Sequence, residues 1–180
     1  MKRLILFFTI ILSIPAFSQS IGYRKDTDES LKIGTDYMLH GHQLGIALVN
    51  EVKKQTQEET WHIDFILFSY NTQFKFDRGA KLLIKTTSGT MVVLEQLIDC
   101  YNIKTDLEYP STGVTRYLIY PAYQISTEDL QVLMKEGIQK LRFETTRGIH
   151  DMICDKDYYG EMIRKEYNLI KGKSDFEAGF

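Results

Sequence analysis

"AKLLIKTTSGTMVVLEQ", residues 80–96, decides the fold. Apolar and polar side chains alternate on both sides of Thr-Thr-Ser-Gly, the period of two that marks half-buried strands. A three-residue loop, Thr87-Ser88-Gly89, with Gly89 in the left-handed region is a favoured way to join two such strands. It sets Ile84 opposite Val92 and Leu82 opposite Leu94 on one face. On the other face Lys81 meets Glu95, Leu83 meets Val93 and Lys85 meets Met91. One face is then apolar and the other carries an opposite-charge pair. A two-residue loop would put Glu95 beside Leu82, so the longer loop is the consistent one.

The same period extends in both directions. "IALVNEVK" (46–53) and "TWHIDFILFSY" (60–70) flank the polar "KQTQEE" and form a second hairpin with a longer loop. In the second of these strands Trp61, Ile63, Phe65 and Leu67 share one face. His62, Asp64, Ile66, Phe68 and Tyr70 share the other, polar at its start and apolar at its end. A third hairpin lies in "LRFETTRGIHDMIC" (141–154), with its register open. A two-residue loop pairs Phe143 with Met152 and Leu141 with Cys154, whereas a three-residue loop turns Cys154 outward.

Two helices interrupt the strands. "ISTEDLQVLMKEG" (125–137) carries a capping-box variant, Ser126 with Asp129, then the stripe Leu130, Leu133, Met134 and a stop at Gly137. In "DYYGEMIRKEYNLIKGK" (157–173), Tyr159, Met162, Ile163, Tyr167 and Ile170 recur at helical spacing. Such a helix would cover the outward Leu83, Met91 and Val93. The expected fold is mainly β, an antiparallel sandwich of about eight or nine strands with two short helices near 127–136 and 157–171. A closed barrel is the alternative.

The ends bound the location. "MKRLILFFTIILSIPAFSQS" opens on Lys2 and Arg3, runs through apolar residues from Leu4 to Ile14, breaks at Pro15 and offers Ala16-Phe17-Ser18 to a signal peptidase. Residues 1–18 read as a secretory signal, and the protein as exported to the periplasm or beyond. The apolar run falls short of the roughly 18–20 residues that span a bilayer, so no membrane span is expected after cleavage. Residues 19–30 read as a poorly ordered leader, 31–172 as a single β-rich domain and 173–180 as a loose tail. The chain carries 22 basic and 24 acidic residues, a net charge of −2, and loss of Lys2 and Arg3 with the signal makes it more acidic. That balance disfavours a nucleic-acid partner.

Candidate sites are sparse. "HGHQ" (40–43) holds two of four histidines. His40, His42 and His62 are the only set to consider for a metal, but zinc sites use three or four protein ligands in recognisable spacings. "HGHQLG" reads better as a turn into the strand at Ile46, with no metal and no cofactor. Cys100 and Cys154 are the only cysteines, a possible disulfide in an oxidising compartment. With His150 and Asp151 they supply the residue types of a thiol triad, yet His150 and Cys154 are spaced as ordinary strand neighbours. Asp64 and Glu95 are no more a glycosidase pair than any two of 24 acidic residues. "RYLIYPAYQ" (116–124) leaves Tyr117, Tyr120 and Tyr123 beside Pro121, a strand-end marker, as a contact platform for a protein or glycan partner.

"GAKLLIKTTSGTMVVLE" (79–95) and "ISTEDLQVLMKEGIQKLRFET" (125–145) resemble a loose group of small exported Bacteroidetes proteins of unknown function. The resemblance covers about the middle third of the chain and implies a β-sandwich-like domain, with no catalytic residues to carry over. The functional expectation is a non-catalytic exported domain binding a protein or glycan. The alternatives are a barrel carrier of a small apolar ligand, lined by Leu82, Ile84, Val92 and Leu94, and a hydrolase using His40, His42 and His62.

Overall fold

The computed structural model describes residues 20–40, 44–70, 73–104, 115–154 and 156–178. Strand β5 (Glu59–Tyr70), whose burial alternates without a break from Thr60 to Phe68, organises the larger sheet. It pairs along most of its length with β4 (Leu44–Lys53), setting Asn50 against Trp61, Leu48 against Ile63, Ile46 against Phe65 and Leu44 against Leu67 on the core face. The hairpin closes through a short loop in which the Lys53 N–H donates to the Glu58 carbonyl at 2.9 Å. Beyond β4 come β2 (Ser30–Thr35) and then β1 (Ile21–Asp26), while β3 (Met38–His40) pairs with the start of β4. The stretch expected as a loose leader therefore contains an edge strand, whose backbone bonds to β2 overrule its polar composition.

The other side of β5 is shared by two strands in tandem. β11 (Arg116–Ile119) pairs with residues 67–70 and β12 (Ala122–Ile125) with residues 61–64. Between them Pro121 has no N–H to give, so the ladder breaks there. Its carbonyl still accepts the Phe65 N–H at 2.9 Å. β10 (Ile103–Lys104) follows β11 at the edge, and the small strands β6 (Lys75–Phe76) and β9 (Cys100–Tyr101) pair with each other.

The opening hairpin, β7 (Lys81–Thr86) and β8 (Met91–Glu95), has the register its loop dictates: Ile84–Val92, Leu82–Leu94, Lys81–Glu95, Leu83–Val93 and Lys85–Met91. Gly89 has φ +96°, as the three-residue loop requires. β13 (Ile138–Thr145) joins the free side of β7 and β14 (Gly148–Ile153) the far side of β13, giving the order β14-β13-β7-β8. The last hairpin takes neither register weighed from sequence. Its two-residue loop is Thr146-Arg147, centred one residue early, so Phe143 faces His150 and Leu141 faces Met152. The Thr145 hydroxyl closes this turn by donating to the Gly148 carbonyl at 2.9 Å, and Gly148 has φ +105°. Cys154 stays on the inward face, half-buried, with its N–H on the Gln139 carbonyl at 2.8 Å.

All strand pairs are antiparallel, and the two main sheets form a sandwich-like fold, not a closed barrel. They touch at one corner, where Gln96 bridges Tyr123 and the Leu97 N–H donates to the Ala122 carbonyl. Between them lies an aromatic core: Phe143 sits 5.4 Å from Phe65 and 6.1 Å from Phe76, ring edge to ring face. Fourteen strands appear among the described residues, more than the eight or nine expected. The excess comes from the edge strand β1 in the expected leader, from the short strands β3, β6, β9 and β10, and from the division at Pro121.

Helix α1 (Thr127–Glu136) starts as anticipated, with the Ser126 hydroxyl accepting the Asp129 N–H at 3.0 Å, and stops at Gly137 with φ +73°. Helix α2 (Tyr158–Ala178) is longer than its apolar stripe and extends into the expected tail. One carboxylate ties the start of α2 to the first residue of β13. Asp157 Oδ1 accepts the N–H groups of Ile138 (2.8 Å) and Gly160 (3.1 Å), and Oδ2 pairs with Arg164 (3.1 Å). The stripe packs on the core face of β2 and β4 and against α1, not on the outward face of β7–β8. Met91 and Val93 consequently remain 50% and 52% exposed. Trp61 stacks on Tyr167 of α2 at 5.1 Å, with the Lys171 ammonium 5.5 Å above the indole and 2.7 Å from Glu59. No helix among the described residues is long and apolar enough to cross a membrane.

The α2 stripe contains one residue that hydrophobic spacing does not explain. Glu166 is 0% exposed, and neither carboxyl oxygen has a well-formed hydrogen bond. The Thr35 hydroxyl and Leu48 backbone lie beside it, but that hydroxyl already accepts the Leu48 N–H at 3.0 Å and reaches the Leu48 carbonyl at 3.3 Å. Burial dominates and pushes the Glu166 carboxyl up to about 9. The folded value lies above the unfolded one. The protonated side chain's contribution to stability is thus complete below the ordinary glutamate value, declines as pH rises, and is gone above about 9. Glu166→Gln is expected to be more stable than the native chain at about pH 8.5 by on the order of a few kcal/mol, with a flatter pH profile. Thermal unfolding of both proteins between about pH 5 and pH 9 checks this; a native melting temperature constant over that interval contradicts it.

Candidate functional site

The end of β5 does not stay covered. Past Leu67 the strand runs beyond the four-stranded sheet, and Phe68 and Tyr70 meet Phe74, β6 and the β13–β14 hairpin around a cleft of about 330 Å³. Phe76 and Phe143 line it together with Leu67, Ser69, Phe74 and Met152, and β5 residues Phe68 and Tyr70 border it. The rings have fixed places: Phe74 lies 5.8 Å from Phe76 at 75°, and the Arg116 guanidinium covers Phe68 at 4.0 Å. The His150 imidazole stacks on Phe74 at 5.2 Å and 25°. Register explains that imidazole: opposite Phe143, His150 is carried on the same face of β14 as Met152.

Asp151, next to His150, faces the other side of β14, where Arg142 holds it through Nε (2.7 Å) and Nη2 (2.9 Å) and Lys140 through Nζ (2.6 Å). These cations keep its carboxyl far below the usual carboxylate range. It is engaged across the strands and does not orient His150. Cys154 shares the His150 face, but no triad geometry joins them. Burial raises the Cys100 thiol, the direction opposite to that of an activated nucleophile.

The remaining sequence candidates are dispersed. His62 stands half-buried on the face of β5 turned away from the core, and burial followed by Lys32 lowers its pKa. His40 ends β3, and His42 lies outside the described residues. No group of three metal-binding side chains occurs among the described residues. Cys100, buried on β9, and the half-buried Cys154 are not joined by a disulfide in the structure. Asp64 and Glu95 point outward from different sheets, on opposite outsides of the sandwich, and cannot flank one bond. Residues 1–18, which the sequence suggests as a secretory signal, lie outside the described residues.

The tyrosine platform does not assemble. Tyr117 is half-buried on the core side of β11, and Tyr120 is on the opposite side, edge-on to Tyr37 at 6.0 Å. Tyr123 is 0% exposed, 5.9 Å from Phe65, which removes it from any contact surface. The cleft itself was missed because its parts come from four separated segments. Phe74 and Phe76 alternate over too few residues to signal a strand, and the three-residue register that the sequence left open would turn His150 away from the cleft.

Compared with protein-family models, with curated proteins and with solved structures, the chain matches nothing in any of the three. Its function must therefore be read from its own surface.

The Tyr123 hydroxyl is buried without a hydrogen-bond partner. An orphaned hydroxyl costs more than it returns. Tyr123→Phe is expected to stabilise the protein by about 1 kcal/mol, measured as an upward shift of the urea midpoint at unchanged slope. A downward shift would show that the hydroxyl is satisfied in solution.

Proposed function

We propose that this is an exported, non-catalytic binding domain that recognises a glycan or protein partner through the aromatic cleft at the end of β5. The observation that supports this most is the stacking of His150 on Phe74 in a cleft also lined by Phe76 and Phe143. Aromatic walls accept the C–H face of a sugar ring or an apolar side chain, and a single imidazole at the rim supplies a directional hydrogen bond. Export rests on the N-terminal pattern and agrees with the resemblance to small secreted proteins.

A small apolar ligand is the second reading, and the same cleft favours it over the sheet interior. Leu82, Ile84, Val92 and Leu94 are all buried in the packed core, and the sheets do not close into a barrel. The hydrolase reading finds no assembled group among the described residues.

Titration of isotope-labelled protein with an oligosaccharide panel, and separately with peptides bearing aromatic residues, tests the proposal. The expected result is saturable amide shifts confined to residues 67–70, 74–76 and 143–152, weakened roughly tenfold by Phe74→Ala or His150→Ala. Binding that ignores both substitutions, or maps elsewhere, rejects the cleft.

A further inference from the structure

The face of the eight-stranded sheet turned away from the core carries a second feature, independent of the cleft. Alternation along β5 places Asp64 there, with Ala47 of β4 and Ala122 of β12 as its in-register neighbours. Two methyl groups cannot enclose a carboxylate, so tyrosine rings supply much of the cover. Tyr37 and Tyr120 lie edge to face with centroids 6.0 Å apart. Tyr23 reaches in from β1 across Gly34, where an added Cβ would meet its ring at 2.3 Å. Beneath this layer Asp64 Oδ1 is buried and makes no hydrogen bond.

The charges around it are few. Lys32 on β2 is the cation that acts on Asp64, but it stands two strands away and pairs with Glu51 of β4 at 4.0 Å. His62, two residues along β5, is held toward its neutral form by burial. Burial likewise raises the Asp64 carboxyl to about 6, leaving it ionised at neutral pH. Burial and then the Asp64 charge raise the Tyr23 hydroxyl to about 12, with Glu51 adding to it. The same two causes lead for Tyr37, whose hydroxyl is raised still further, with Tyr120, Tyr23 and Cys100 contributing. A negative charge under aromatic rings, short of one donor, is complementary to one kind of group.

We propose that this face binds an organic ammonium group, with the Asp64 carboxylate as counter-ion and hydrogen-bond acceptor and the Tyr37 and Tyr120 rings as its aromatic wall. An ammonium supplies both the charge and the N–H that Oδ1 lacks, and rings attract cations most strongly where water is thinned. A hard divalent cation would need six or more oxygen ligands, and one carboxylate does not provide them. An anion is repelled, and a neutral polyol leaves the charge uncompensated. A primary amine suits Oδ1 better than a quaternary one, which has no proton to donate.

The test uses the processed chain and n-butylammonium chloride, with pentan-1-ol as the neutral counterpart of similar shape, followed by amide shifts. The expected result is saturable binding of the amine, mapped to residues 37, 64, 120 and 122, with little binding of the alcohol. Asp64→Asn should weaken it at least tenfold and Tyr37→Ala several-fold, with the amide spectrum reporting that each variant is folded. In the unaltered protein the affinity should fall several-fold between about pH 7.5 and about pH 5, as Asp64 takes up a proton. Equal binding of alcohol and amine, a folded Asp64→Asn variant with native affinity, or an affinity unchanged across that pH range overturns the proposal. None of these outcomes bears on the β5-end cleft, whose residues are different.

Discussion

The alternation of β5 is the constraint on which the rest depends. It is paired on both edges, to β4 along one and to β11 and β12 along the other, so its register cannot slip without breaking two ladders together. A slip of one residue would expose Trp61, Ile63, Phe65 and Leu67 and bury His62 and Asp64. The strand thereby fixes which side of the larger sheet is core and which is available for contact. Both surfaces singled out above are its products: Asp64 lies on its outward face, and the cleft forms where it overruns the second sheet.

The helices complete what the sheets leave open. The two sheets are joined by backbone hydrogen bonds at one corner, and α2 packs over β2 and β4 beside the four-stranded sheet. Its seat is polar at both ends and greasy between. Asp157 secures its start to β13, Arg164 ties it to the Met134 carbonyl of α1, Lys171 secures its fourth turn to Glu59 of β5, and Ile163 and Ile170 are buried along its length.

What could be read in advance follows from where the determining physics is local. The β7–β8 register was legible because loop length, glycine conformation and two alternating faces are all encoded within seventeen residues. The start of α1 was legible for the same reason, since Ser126 needs only Asp129 to form its cap. The β13–β14 register was not, because Thr145 closes the turn one residue earlier than the glycine suggested, a preference settled by a single hydroxyl. The docking of α2 was also hidden: its stripe matches any apolar surface of the right length, and only tertiary packing selects β4 over β8. Of the candidate residues, His62 and Tyr120 share the outward face of the larger sheet, while Tyr123 belongs to the core because strand pairing reverses the environment implied by its polar neighbours. The cleft was least visible, since Phe74 and His150 are joined only through the third dimension.

Trp61 is the one tryptophan in the chain, and it stacks on the helix rather than on the opposing sheet. Its fluorescence therefore reports on a single seam. Release of α2 would bring water to the indole and move its emission to longer wavelength while the strand signal in circular dichroism persisted. The molecule carries a built-in optical gauge that separates lifting of one helix from collapse of the whole.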